Sequence, residues 1–84
     1  MKLDRKDLLL LRLLDQDGSG LRGSELHHRA AGVMWQLTVD WRLGFLVDAG
    51  LVREQKLWSH MPSRGPRHIH YITDHGRLVL RDSP

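Results

Sequence analysis

The first apolar pattern in the chain has the spacing of a helix. Leu8, Leu11 and Leu14 recur every three residues among charged positions, which places them on one face of a predicted helix over residues 4–15. Asp4 stands just before this pattern and is expected to cap the helix, because its carboxylate can accept hydrogen bonds from the first free backbone amides. The turn residues DGSG then end the helix.

A second, shorter helix is predicted over residues 24–31. Ser24 is its expected cap, and Gly32 is expected to close it in a left-handed conformation. Small residues on the inner face would let a neighbouring helix approach closely. The residues expected to face inward are Leu26, Ala30 and Ala31.

The third helix is predicted over residues 38–49, with Thr38 as its cap and Gly50 as its stop. Leucine and valine recur on one face at helical spacing, which gives this helix a clear inner surface. The residues of that inner surface are Val39, Leu43, Leu46 and Val47.

Two extended segments follow, at residues 52–59 and 67–73, where β-branched and aromatic residues stand among polar ones. The intervening MPSRGP contains two prolines and a glycine, so it is predicted to be the loop of a β-hairpin. Thr73 can cap a last short helix over residues 74–82, in which Gly76 lowers the intrinsic helix stability.

Three helices, a two-stranded hairpin over about residues 52–73 and a short last helix follow the order of a winged helix-turn-helix, an α+β fold. One such domain accounts for residues 1–84. In this fold the N-terminal half of the third helix enters the DNA major groove, and the hairpin, or wing, contacts the backbone or the minor groove. The predicted partner is double-stranded DNA, and the predicted function is sequence-specific transcription regulation.

The third helix supplies the predicted base-contacting residues. Thr38, Trp41 and Arg42 lie in its N-terminal half, on the face expected to point outward. Arginine is the most frequent reader of guanine in the major groove, so Arg42 is the leading candidate. Asp40 and Gly44 share the predicted outer face. The glycine costs helix stability there and is explained either by a close backbone approach or by a packing contact.

Positive charge is concentrated in the predicted hairpin, although the formal net charge of the whole chain is only +3. Arg64 and Arg67 flank the hairpin loop and are predicted to contact phosphates or the minor groove. Arg53 and Lys56 support the same region or cover the edge strand. On the second helix, His28 and Arg29 are candidates for a phosphate contact.

Three segments resemble the PadR-type winged-helix regulators and, more distantly, the MarR-type regulators: GSEL, TVDWRLGFLVDAGLV and GPRHIHYITDHGR. The resemblance covers roughly residues 8–80 and implies a DNA-binding winged helix. The matching positions are Leu43, Leu46, Gly50, Leu51, Val52, Tyr71, Ile72, Thr73 and Gly76.

Two departures from that family pattern bear on function. The family usually has a tyrosine at the position of Asp40, so a phosphate contact at this site is in doubt. Family members also commonly carry a further C-terminal helical segment for dimerisation. A homodimer through the first and last helices is one open arrangement, for which the sequence gives no direct signal.

The composition argues against several other functions. The chain has no cysteine, no glycine-rich phosphate loop and no nucleophile motif, so we expect neither an enzyme nor a catalytic residue nor a cofactor. His60, His68 and His70 could bind zinc, but no flanking carboxylate is evident to orient them, and no metal site is assigned. A pH-sensing role for the same histidines is a further alternative, since unperturbed histidine titrates near neutrality, and it is no better supported than the zinc site.

The N-terminal leucine-rich run is interrupted by Arg12 and followed by acidic residues, so it is not predicted to be a signal peptide. No apolar stretch is long enough for a membrane span, and the expected location is the cytoplasm.

An alternative function, protein binding, remains open. Asp40 and Asp48 make the third helix partly acidic, and Trp35, Trp41 and Trp58 suit a protein interface, so the domain could bind protein instead of DNA.

Overall fold

The structure is a computed structural model that describes residues 3–58 and 65–83. Helices at both ends and in the middle of the chain are combined with a small antiparallel sheet, as the α+β prediction requires. In chain order the elements are α1 (Arg5–Gln16), β1 (Leu21–Arg22), α2 (Gly23–Arg29), α3 (Gln36–Asp48), β2 (Val52–Trp58), β3 (Pro66–Ile72) and α4 (Asp74–Arg81).

The N-terminus of α1 is closed by a reciprocal pair of carboxylates. The Asp4 side chain accepts hydrogen bonds from the backbone amides of Lys6 and Asp7, at 2.9 and 3.0 Å. The Asp7 carboxylate in turn accepts from the Asp4 amide at 3.2 Å. The predicted cap is therefore confirmed, and it brings a second carboxylate, which is 5% exposed, to the inner side of the helix.

Helix α2 differs from its prediction at both ends. It begins after Arg22, whose backbone amide donates to Glu25 at 3.3 Å, so Ser24 lies inside the helix and does not cap it. It ends at Arg29, and Gly32 lies in the following turn without a positive φ. Because the helix stops before Ala31, that residue is exposed, whereas its predicted companions Leu26 and Ala30 are fully buried.

Helix α3 begins two residues earlier than predicted. Met34 is buried at the end of the preceding turn, and the helical hydrogen bonds start at Trp35, whose carbonyl accepts from the Val39 amide at 3.0 Å. Thr38 is therefore a first-turn residue and not the cap. The predicted stop is confirmed, because Gly50 has a φ of +79° and its amide donates to the Val47 carbonyl at 3.0 Å.

The sheet has three strands in the order β1-β3-β2, all antiparallel. The predicted hairpin is present, with Val52 paired to Ile72 at one end and Trp58 to Pro66 at the other. The short strand β1 was not predicted. It adds Leu21 opposite His70 and thereby seals the end of the core, since Leu21 is fully buried.

Helix α4 is capped as predicted. The Thr73 hydroxyl accepts from the Gly76 amide at 2.9 Å and donates to the Gly50 carbonyl at 2.7 Å. This links the start of α4 to the end of α3. Within α4, Val79 and Leu80 pack against the core, while Leu78 is 56% exposed.

The core lies where α1 packs against α3, α4 and the sheet. It is dominated by leucine, with contributions from α1, α2, α3 and all three strands. The described core residues are Leu10, Leu11, Leu14, Leu21, Leu26, Ala30, Met34, Val39, Leu43, Leu46, Leu51, Val52 and Ile72. Within the described parts of the chain, no helix has the length and apolar character needed to cross a membrane.

Candidate nucleic-acid interface

The outward surface of α3 is an uncovered helix face next to the hairpin. Its inner residues Val39, Leu43 and Leu46 are buried, which turns the opposite side of the helix to solvent. We refer to this opposite side as the α3 outer face. Its exposed residues are Gln36, Leu37, Asp40, Trp41, Gly44, Phe45 and Asp48.

Large apolar side chains form a row along the α3 outer face. Leu37, Trp41 and Phe45 are four residues apart and are 81%, 73% and 42% exposed. We call this row the apolar stripe. Trp35, which is also exposed, extends it beyond the start of the helix. Isolated exposed apolar residues are common, but a continuous row is typical of a binding surface.

Arg42 does not lie on the α3 outer face, contrary to the prediction. Its guanidinium points to α1, where Nη1 is 2.7 Å from Asp4 Oδ2 and 3.1 Å from Asp7 Oδ1. The side chain is only 18% exposed. Burial acts to lower the pKa of Arg42, but the hydrogen bonds to Asp7 and Asp4 outweigh it, so the pKa stays above its usual value. The physical reason for this placement is the pair of carboxylates at the start of α1.

Asp40 is held by α2. Its Oδ1 lies 2.6 Å from Nε2 of His27, which forms an ion pair when the imidazole is protonated. The contact joins the two helices of the helix-turn-helix near the outer face. The acidic residue that departs from the family pattern therefore has a partner within the domain, although its carboxylate remains 56% exposed.

A cleft of about 550 Å³ separates α3 from the hairpin. The start of α2 forms one end of the cleft, Gly44 of α3 lies on one side, and Arg67 of β3 lies on the other. A Cβ built on Gly44 would have no neighbour within 4 Å, so packing within the domain does not explain this glycine. Its lack of a side chain widens the approach to the cleft from solvent.

A carboxylate and two imidazoles line the hairpin side of the cleft. Glu54 Oε1 is 2.5 Å from Nδ1 of His68, and Glu54 Oε2 is 3.8 Å from Nε2 of His70. The hydrogen bond from His68 lowers the pKa of Glu54 in spite of its partial burial. The described residues contain no group of three or more potential ligands arranged for a metal ion, and His60 of the zinc alternative lies outside them.

His70 is the buried member of this group. It is 7% exposed, and its Nδ1 has no hydrogen-bond partner. Burial lowers its pKa, against the opposing influence of the Glu54 carboxylate. Since the unfolded chain then binds the proton more readily than the folded one, protonation of His70 favours unfolding.

The free energy of unfolding is therefore expected to fall as the pH drops below 6.5, the ordinary pKa of histidine. Urea unfolding between pH 8 and pH 5.5 measures this dependence. His70→Asn should flatten it, whereas His75→Asn, which removes an exposed histidine of α4, should leave it as in the parent. A parent protein whose stability is constant over this range would contradict the prediction.

The other predicted contact residues occupy different positions around the α3 outer face. Arg67 is exposed on β3, and Arg64 lies outside the described residues. His28 is exposed on α2, while Arg29 is 40% exposed and lies 3.5 Å from Asp17. The structure thus brings α2, α3 and the hairpin together on one side of the molecule, but it pairs Arg29 with Asp17.

Sequence reasoning missed two residues of this surface, Gln36 and Leu37. Both precede the third helix as predicted, which starts at Thr38. The structure places both in the exposed first turn of α3. The signal that could have found them is the spacing itself, since Leu37, Trp41 and Phe45 recur every four residues.

The fold is similar to that of solved winged-helix transcription regulators. PadR from Bacillus subtilis, in complex with operator DNA, matches with a TM-score of 0.78 and 19% identity, over 94% of this chain and 46% of PadR. The zinc-responsive MarR family member ZitR from Lactococcus lactis matches at 0.76 and 13%, over 98% of this chain and 51% of ZitR. The repressor CouR, bound to a 23-mer DNA duplex, matches at 0.72 and 26%, over 95% of this chain and 51% of CouR.

These similarities confirm the winged-helix fold and the predicted likeness to PadR-type and MarR-type regulators. The chain spans about half the length of each of these three proteins. No protein-family model matches the sequence. No curated protein sequence matches it either.

Proposed function

We propose that the protein is a transcriptional regulator that binds duplex DNA through the α3 outer face and the β2–β3 hairpin. The observation that carries this proposal is the exposure of α3 next to the hairpin, within a fold shared with regulators that have been solved on DNA. In a winged helix this is the surface that faces the major groove. The neighbours of this fold are regulators, which supports a role without catalysis.

The residues proposed for base contact lie in the first half of α3. Trp41 is 73% exposed, and its indole N–H can donate to an acceptor on a base edge. Thr38 and Gln36 lie in the first turn, where a hydroxyl and an amide can contact base edges or phosphates. Arg42 is omitted from this set because its guanidinium is held by the carboxylates of Asp4 and Asp7.

Backbone contacts are proposed for Arg67 on the hairpin and for His28 and Arg29 on α2. Arg64, which lies outside the described residues, is proposed from its place in the sequence alone. The start of α3 adds to this attraction, since Trp35 provides no side-chain acceptor for the first-turn amides. A homodimer on a near-palindromic site is the simplest assembly, and the cytoplasm is the location that such a regulator requires.

The proposal is tested by selection from a random-sequence pool of duplexes, followed by fluorescence anisotropy on an enriched and a scrambled duplex over a salt series. We expect tight, salt-dependent binding to the enriched duplex and weaker binding to the scrambled one. If no sequence is enriched and neither duplex binds at low salt, the proposal is wrong.

Arg67→Ala tests the role of the hairpin. Because a phosphate contact carries no sequence information, we expect weaker binding to all duplexes alike and a log–log salt slope smaller by about one. Arg81→Ala is the matched control, since it removes the same charge from the exposed end of α4. Equal losses in the two variants would show that only net charge matters and would remove Arg67 from the interface.

A protein-interaction module is the second candidate function. It is favoured by the apolar stripe and by the two acidic residues of the α3 outer face, Asp40 and Asp48, which oppose a polyanion. Apolar and aromatic residues are enriched at the centres of protein interfaces. A partner protein retained in high salt, together with no measurable DNA affinity, would favour this function over the first.

A further inference from the structure

The apolar stripe is long enough to follow several base pairs. Leu37 and Phe45 are eight residues apart, which corresponds to about 12 Å along a helix. This is close to three base-pair steps of about 3.4 Å. With Trp41 between them, the three exposed side chains follow one line along the helix that faces the major groove in a winged helix.

The same face has no side chain suited to guanine. Guanine is most often recognised by arginine or lysine, and Arg42 is the only such residue in α3. Its guanidinium is bound to Asp4 and Asp7. The one apolar group that a base pair exposes in the major groove is the C5-methyl group of thymine, which is recognised by contact with apolar side chains.

The cations that could contact a duplex lie beyond the stripe, on the hairpin and on α2. Lys56 and Arg67 are exposed on the hairpin, and Arg29 is exposed on α2, 3.5 Å from Asp17. The charged residues directly beside Trp41 and Phe45 are Asp40 and Asp48. Phosphates line both sides of the major groove, whereas its floor carries the base edges. Lys56, Arg67 and Arg29 lie beyond the stripe, where phosphates would pass, whereas the stripe itself carries no free cation and would meet the base edges through apolar contact.

We infer that α3 recognises thymine methyl groups through Leu37, Trp41 and Phe45, so that the target of this protein is a thymine-rich duplex. This inference rests on the proposed function, because it requires that α3 contacts DNA. The sequence preference of α3 then comes from burial of thymine methyl groups and not from hydrogen bonds of an arginine.

Two defined probes test the inference. One is a fluorescein-labelled 30-base-pair duplex of alternating adenine and thymine, and the other is the same duplex with every thymine replaced by uracil. Uracil keeps the hydrogen-bonding edge and removes only the methyl group. Since burial of one methyl group contributes about 0.8 kcal/mol, we expect the dissociation constant to rise at least about fourfold for the uracil duplex.

Leu37→Ala should abolish most of the difference between the two duplexes by weakening binding to the thymine duplex. The control is Leu78→Ala, which truncates another exposed leucine, on α4, and should preserve the difference. Equal binding of the parent to both duplexes would overturn the inference and leave the proposed function intact. If the protein bound neither of these duplexes and no duplex from the selection pool, both the inference and the proposed function would be wrong.

Discussion

Replacing Gly76 by alanine is expected to destabilise the protein by about 2–3 kcal/mol, although alanine is a better helix former than glycine. A Cβ at this position would overlap the backbone carbonyl oxygen of Leu51 and lie 2.8 Å from Cγ1 of Ile72. The Leu51 carbonyl cannot move away freely, because it accepts a hydrogen bond from the Thr73 amide at 3.0 Å. Helix α4 would have to lift from the junction between α3 and the sheet.

Gly44→Ala provides the matched control for this prediction. Gly44 is also a helical glycine, but a Cβ there meets nothing within 4 Å. We expect this substitution to stabilise the protein by up to about 1 kcal/mol through helix propensity alone. Urea unfolding followed by circular dichroism measures both variants. Equal stability of the two would mean that the contact of Gly76 with Leu51 does not constrain α4.

The inner faces of the helices were predictable from sequence because their spacing is local. Val39, Leu43 and Leu46 repeat at intervals of three and four, and all three are buried. The stop at Gly50 was equally predictable, since a glycine directly after an apolar helical run supplies the left-handed residue that ends it. Such signals lie within a few residues of one another.

The features that sequence analysis missed depend on contacts between distant parts of the chain. Strand β1 has two residues, too few to show alternation, and exists because Leu21 pairs with His70. The orientation of Arg42 depends on Asp7, which lies 35 residues earlier. Position 42 stands between the buried positions 39 and 46, so its place at the border of the inner face could be expected, but its partners could not.

Arg42→Met is expected to destabilise the protein by about 3 kcal/mol. The Asp7 side chain is 7% exposed, and Arg42 supplies the cation nearest to it, so the substitution leaves a carboxylate in the interior without its ion pair. Breaking a buried pair by removing one partner is costly because the remaining charge has been taken out of water. Chemical unfolding of the parent and the variant gives the difference directly.

A double-mutant cycle separates the ion pair from other effects of losing Arg42. Asp7→Asn keeps an acceptor for the Asp4 amide while removing the charge, so the double variant should lose less stability than the two single variants added together. The coupling is expected to exceed about 1 kcal/mol.

DNA binding distinguishes a structural role of Arg42 from a base-contacting one. If Arg42 only stabilises the fold, the folded Arg42→Met variant keeps the sequence preference of the parent. A folded Arg42→Met protein with parental stability and relaxed preference at guanine would return Arg42 to the interface, since only a base-reading arginine has that effect.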